Sequence, residues 1–140
     1  MFTNLFKKNS KPSTPTLELG EKGEDVACGF LRHHGYKILV RRFRSQSGEI
    51  YIVARHKDWL VFVEVKTRKS EQFGAPSEAV DKKKQRHITK VALDYLRMLD
   101  NPPVHFRFDI VEVVMKDAAS KPDDVRLIDN AFDLSEPYIY

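Results

Sequence analysis

Apolar positions along this chain follow a helical rhythm first and a two-residue alternation next. Between Leu17 and His34, the positions Gly23, Val26, Ala27, Phe30 and Leu31 recur at three- and four-residue spacing, which predicts an amphipathic helix closed by Gly35. Tyr36 to Phe43 predicts a first strand, and Arg44 to Gly48 a polar turn. Gly48 to Lys66 then reads as a β-hairpin. In its first arm Ile50, Ile52 and Ala54 alternate with Glu49, Tyr51, Val53 and Arg55; in its second, Val61, Val63 and Val65 alternate with Phe62, Glu64 and Lys66. A two-residue turn at Lys57 and Asp58 sets His56 against Trp59. The same register sets Tyr51 against Glu64 and Glu49 against Lys66.

The second half repeats the change of period. Thr67 to Pro76 predicts a loop, and Ser77 the N-cap of a helix reaching about Leu99. Its stripe is Val80, Ile88, Val91, Ala92, Tyr95, Leu96 and Leu99, interrupted at Lys84. Asn101-Pro102-Pro103 ends that helix; His105 to Met115 predicts a strand, Lys116 to Asp124 a polar loop, and Val125 to Ile128 a short last strand, with no clear pattern from Asn130 onward. The order is α-β-β-β-α-β-β. A meander followed by a helical crossover implies an α/β fold with a mixed sheet flanked by helices. Residues 1–16 read as a disordered basic tail, 17–133 as the domain and 134–140 as a C-terminal tail.

Length and composition sharpen this only a little. With 140 residues and 41% hydrophobic content, one domain with a real core is expected. The single cysteine, Cys28, excludes a disulfide framework and a cysteine-rich zinc site within one chain. No apolar run approaches the ~20 residues of a membrane span, and no signal-peptide apolar region precedes Lys7. A cytoplasmic protein without membrane contact is expected.

Charge changes the picture more. The formal +4 is uneven: residues 1–16 carry +3, residues 116–140 carry −3, and the middle holds +4. Its cations concentrate at Arg41, Arg42 and Arg44 and at Lys82, Lys83, Lys84 and Arg86. Such clusters suit a phosphate backbone, although most charge runs are simply solvated faces. Glu64 and Lys66 project side by side from one face of a strand whose other face is apolar. Glu24 falls at the margin of the first helix's stripe, where it either reaches over the sheet or only complements the helix dipole. Lys84 either snorkels to water or delivers a charge to something bound beside the sheet.

Several strings resemble the bacterial YraN family: Gly20-x-x-Gly23-Glu24-x-x-Ala27, His34-Gly35-Tyr36, Gly48-Glu49-Ile50, Phe62-Val63-Glu64-Val65-Lys66-x-Arg68, Phe73-Gly74-x-Pro76-x-Glu78-Ala79-Val80, Arg107-Phe108-Asp109 and Asn130-Ala131-Phe132. The likeness spans roughly residues 17–133. It implies a restriction-endonuclease-like core of the PD-(D/E)xK nuclease type, similar to Holliday-junction resolvases. It further implies phosphodiester hydrolysis with Mg²⁺ or Mn²⁺, Glu64 as metal ligand, Lys66 as active-site lysine and Glu24 as a helix-borne carboxylate. In such a site carboxylates hold the metal, which activates water, and a lysine stabilises developing charge.

The chain departs from that pattern at one position. The family's string is Gly-Glu-Ile-Asp, with the aspartate as central ligand; here it reads Gly48-Glu49-Ile50-Tyr51. A neutral phenol is a poor Mg²⁺ ligand, so impaired or absent cleavage is expected. Three readings follow. The first is a nucleic-acid-binding protein, DNA foremost and branched DNA included, with a degenerate nuclease site and with Arg68 joining the cations named above. The second is an active Mg²⁺-dependent structure-selective endonuclease in which Glu49 replaces the missing ligand, its head moved ~6–7 Å by a bulge. The third is a structural domain with no nucleic-acid partner.

Overall fold

Helix α1 (Pro15–His33) begins two residues before its apolar stripe suggested, because Thr14 accepts a hydrogen bond from the Leu17 N–H at 3.2 Å and Pro15 fills the first turn. Gly35, at φ +86°, turns the chain out of the helix into the sheet. The computed structural model describes residues 14–69, 80–138 and 140. Tail residues 1–13, the expected cap Ser77 and the string Phe73 to Ala79 lie outside the described residues.

The strands are β1 (Lys37–Ser45), β2 (Gly48–His56), β3 (Trp59–Arg68), β4 (His105–Val114) and β5 (Asp124–Phe132), with helix α2 (Lys82–Met98) between β3 and β4. They form one mixed sheet in sequence order. β1, β2 and β3 are antiparallel, β3 and β4 parallel, and β4 and β5 antiparallel. The α/β order is the expected one, and the crossover through α2 returns β4 parallel to β3 as anticipated. α1 covers one face, where Ala27 and Leu31 pack with Ile52, Ala54, Val61, Val63, Val65 and Val111. α2 covers the other, where Ile88, Val91, Tyr95 and Leu96 pack with Ile50, Val53, Phe62, Phe108 and Ile110.

Three further boundary differences bear on the sheet and its crossover. α2 starts at Lys82, where the Asp81 carboxylate accepts from the Lys84 N–H at 2.8 Å. Thr67 and Arg68, expected in a loop, extend β3 because β4 offers them Val113 and Val114 as partners. β5 runs to Phe132 rather than stopping at Ile128: a register shift between Phe108 and Ile110 and a left-handed Asn130 (φ +48°) keep it on β4, and Phe132 stacks on Phe108 at 4.8 Å.

A fourth difference shapes the site. Strict alternation placed Tyr51 with Val53, on the face opposite Ile50 and Ile52. Instead Ile50 and Val53 face α2, while Tyr51 joins Ile52 and Ala54 on the α1 side. The face changes hand between Tyr51 and Ile52. Across the strand pair, the expected register is correct from His56↔Trp59 to Ile52↔Val63, and there the ladder ends. Beyond it β2 stays with β1 as far as Gly48, and β3 stays with β4 as far as Arg68. The two strands fork.

Candidate functional site

The fork gathers most of the residues singled out by sequence. Gly23 lets α1 approach the end of β3: a Cβ there would stand 1.9 Å from Thr67 Oγ1. That contact brings Glu24, 7% exposed, over the sheet margin, so it is a buried group and not merely a solvent-facing helix-dipole partner. Glu24, Tyr51, Lys66 and Thr67, with Thr16, Leu19, Gly20 and Val65, line a cavity of about 240 Å³. Glu64 lies on the α2 side of β3, 4% exposed, with Lys84 Nζ at 3.5 Å from its Oε2. Lys84 therefore interrupts its apolar stripe to meet the Glu64 carboxylate.

Tyr51 stands within the field of three acids. Burial pushes its phenol pKa up, and Glu64, Glu24 and Glu49 push it further. It remains a neutral hydroxyl. Burial likewise raises the Glu64 pKa, partly offset by the ammonium groups of Lys84 and Lys66. Glu64 Oε1 is buried and has no hydrogen-bond partner among the described residues.

The other carboxylates are engaged by arginines. Arg42 Nε donates to Glu24 at 2.8 Å, from a backbone held in the left-handed region at φ +56°. Arg44 pairs with Glu49, its cross-strand neighbour. Arg41 pairs with Asp25 at 2.7 Å. These three arginines are exposed and line the β1 edge, each with an acid beside it. Arg68 is not on the surface: its side chain is 13% exposed and meets the buried Glu112 at 2.9 Å, so we assign it to folding and not to a nucleic-acid face. Lys82, Lys83 and Arg86 are exposed along the first turns of α2.

Mg²⁺ or Mn²⁺, implied by the resemblance, does not fit this donor set. A hard dication takes several anionic oxygens, and among the described residues the fork supplies one carboxylate without an arginine partner, Glu64, near the ammonium groups of Lys84 and Lys66. Among the described residues no group of three or more His, Cys, Asp and Glu side chains is placed to hold a metal ion. The change of face at Tyr51 does not bring Glu49 into the ligand position, because Glu49 stays with Arg44.

This arrangement lies inside a matched family region. Residues 23–113 match the family described as "Uncharacterised protein family UPF0102". The chain belongs to UPF0102, the YraN family. A UPF0102 protein of Caldicellulosiruptor saccharolyticus is 46% identical over 115 residues, covering 82% of this chain and 97% of that protein. One of Syntrophus aciditrophicus is 40% identical over 122 residues, covering 87% and 94%. One of Symbiobacterium thermophilum is 45% identical over 117 residues, covering 81% and 95%. The relatives are bacterial, and the UPF0102 match takes in Glu24, Tyr51, Glu64, Lys66 and Lys84 together. No helix among the described residues is long and apolar enough to cross a membrane.

A second polar cluster went unassigned by sequence, although three of its strings were noticed. Asp109, fully buried, accepts from Tyr36 Oη at 2.9 Å, from Arg107 Nε at 3.0 Å and from the Asn130 N–H at 2.9 Å. Arg107 also contacts Tyr36 Oη and His56 Nδ1, both at 3.0 Å, and the Tyr36 and His56 rings stack at 4.2 Å. Burial and the Asp109 charge push the Tyr36 pKa up to about 12, so its hydroxyl stays a donor. Glu112 was missed as well. The signal was available, since an acid inside Val111-Glu112-Val113-Val114 must be paired or pointed outward.

Proposed function

We propose that this UPF0102 protein binds the phosphate backbone of nucleic acid, DNA foremost and branched forms included, through the fork and the first turns of α2, without hydrolysing it. Tyr51 carries the reading: a neutral phenol stands where hydrolysis would need a metal-holding carboxylate, amid acids that arginines already neutralise. Support for the nucleic-acid partner comes from the exposed cations of α2. Lys82, Lys83 and Lys84 sit in a first turn that holds no acid, where the helix dipole disfavours them by about 0.3–1 kcal/mol each. A phosphate anion reverses that sign. A cytoplasmic location suits such a partner.

The test is binding of a labelled duplex and a four-way junction, followed by anisotropy over a range of salt. Affinity should fall steeply with salt, and a Lys82→Gln, Lys83→Gln, Arg86→Gln variant should flatten the logarithmic slope by roughly 2–3. Binding that ignores salt, or a slope unchanged in the variant, refutes the interface. Metal-dependent cleavage by the unmodified protein that Glu49→Gln abolishes would refute the non-hydrolytic half and restore Glu49 as a ligand.

A further inference from the structure

Lys66 is the unusual cation of the fork. It is half-buried, yet it makes no ion pair within 4.0 Å and no hydrogen bond among the described residues. Its natural partner is Glu64, two positions away on the same strand face, and Lys84 from α2 holds that carboxylate instead. The cavity beside Lys66 is lined by three hydroxyl-bearing residues, Thr16, Tyr51 and Thr67, and by Glu24, whose charge Arg42 balances. Arg42 and Arg44 hold Glu24 and Glu49, Lys84 holds Glu64, and Arg68 and Arg126 hold Glu112, the β4 residue across from Lys66. An ammonium with no ion pair among the described residues, beside neutral hydroxyls, recognises an anion.

We infer that the Lys66 cavity is a metal-independent receptor for a single phosphate group, and that Lys84 is a positioning residue that keeps Glu64 occupied so that Lys66 is free for the anion. This rests on the reading of the protein as a phosphate-backbone binder, and it names the point where one phosphate is held. Lys66 and the hydroxyls of Thr16, Tyr51 and Thr67 supply the contacts. The phosphate belongs either to a nucleic-acid backbone or to a free mononucleotide or inorganic ion, and the cavity's chemistry is the same for each.

The probe is inorganic phosphate, titrated calorimetrically in EDTA at ionic strength held constant with NaCl. Lys66→Gln should weaken binding about tenfold or more, consistent with loss of a charge-assisted contact. Glu64→Gln should leave binding intact or tighten it about fivefold, the effect of one unit charge at roughly 8 Å in a wet site. Lys84→Gln should weaken phosphate because Glu64 then captures Lys66, and the double variant with Glu64→Gln should recover it. A merely structural Lys84 would give no such recovery. Thermal melts of each variant establish that the folded protein is measured.

Phosphate binding that survives Lys66→Gln, or a double variant no better than Lys84→Gln, overturns the inference. So does Mn²⁺ binding by the unmodified protein that Glu64→Gln removes. Salt-dependent DNA binding without any phosphate effect would sink the receptor and leave the proposed function standing. Lys66-dependent phosphate binding without DNA binding would sink that function and keep the receptor. Displacement of labelled DNA by phosphate in the unmodified protein, but not in Lys66→Gln, assigns the cavity to the nucleic-acid backbone. Equal displacement in both overturns the assignment.

Discussion

Two acids buried one register position apart, Asp109 of β4, whose contacts run towards the hairpin turn, and Glu64 of β3, at the fork, are treated in opposite ways. At the turn end Asp109 collects hydrogen bonds from Tyr36, Arg107 and the Asn130 backbone, and Arg107 is itself braced by His56. At the fork end Glu64 has one ammonium at 3.5 Å and an oxygen with no hydrogen-bond partner among the described residues. A fully satisfied buried charge fixes the packing around it, whereas a half-satisfied one costs stability. The turn end is therefore built for folding, tying the exit of α1 to β4 and β5. The fork end gives up stability for a site.

The sharpest way to break this comparison is to remove the two acids in turn. Asp109→Ala leaves Arg107 buried and unpaired and should cost about 3–5 kcal/mol in urea unfolding. Glu64→Gln should cost nothing or gain up to ~1 kcal/mol, since it removes an incompletely answered charge. Equal losses at both sites would erase the distinction. Gly23→Ala comes next, because its methyl would collide with Thr67 Oγ1 and push α1 off β3. A loss of about 1–3 kcal/mol is expected, with crystallographic displacement of Glu24 from the cavity. A variant as stable as the parent would show that Thr67 simply swings aside.

Tyr51→Asp puts a carboxylate back into the field of Glu64 and Glu24. Without metal it should lower stability by roughly 1–2 kcal/mol through like-charge repulsion. Saturating Mn²⁺ should restore about that much by mass action, and Mn²⁺-dependent nicking of branched DNA, lost again in Lys66→Ala, would follow. A variant that gains neither stability nor cleavage would mean that the lysines, and not the phenol alone, keep metal out.

The smallest effect is a pair of opposed pH slopes. Burial, Arg107 and Lys57 hold the His56 pKa below its ordinary value. The neutral ring is therefore favoured in the fold, and stability falls as pH drops below about 6.5. The Glu64 pKa is raised by burial. The native state thus binds its proton more readily than the unfolded chain, and stability rises as pH falls from that raised value towards about 4.5. Each slope should amount to about 1 kcal/mol or less. His56→Gln should flatten only the first in thermal melts across pH, and Glu64→Gln only the second.

Much of this was legible in the residues. The helix-to-strand change of period at Gly35, the turn at Lys57-Asp58 with His56 facing Trp59, the crossover through α2 and the misplaced Lys84 all follow from local spacing. Local spacing sets which face a side chain takes for as long as the ladder is regular. The fork was not legible, because β2 and β3 part where each follows its outer neighbour, β1 or β4, and such long-range pairing is not written in local alternation. The change of face at Tyr51 is equally invisible to alternation. The separation of useful cations from structural ones was equally hidden. Arg68 and Lys66 stand two positions apart with the same charge, yet β4 carries a buried glutamate beside Arg68 and α2 supplies a lysine that takes Glu64 away from Lys66. By itself the sequence determined the elements, their order and the family. Tertiary contact alone decided which charges are neutralised and which is left for a ligand, because an ion pair depends on distance through space and not along the chain.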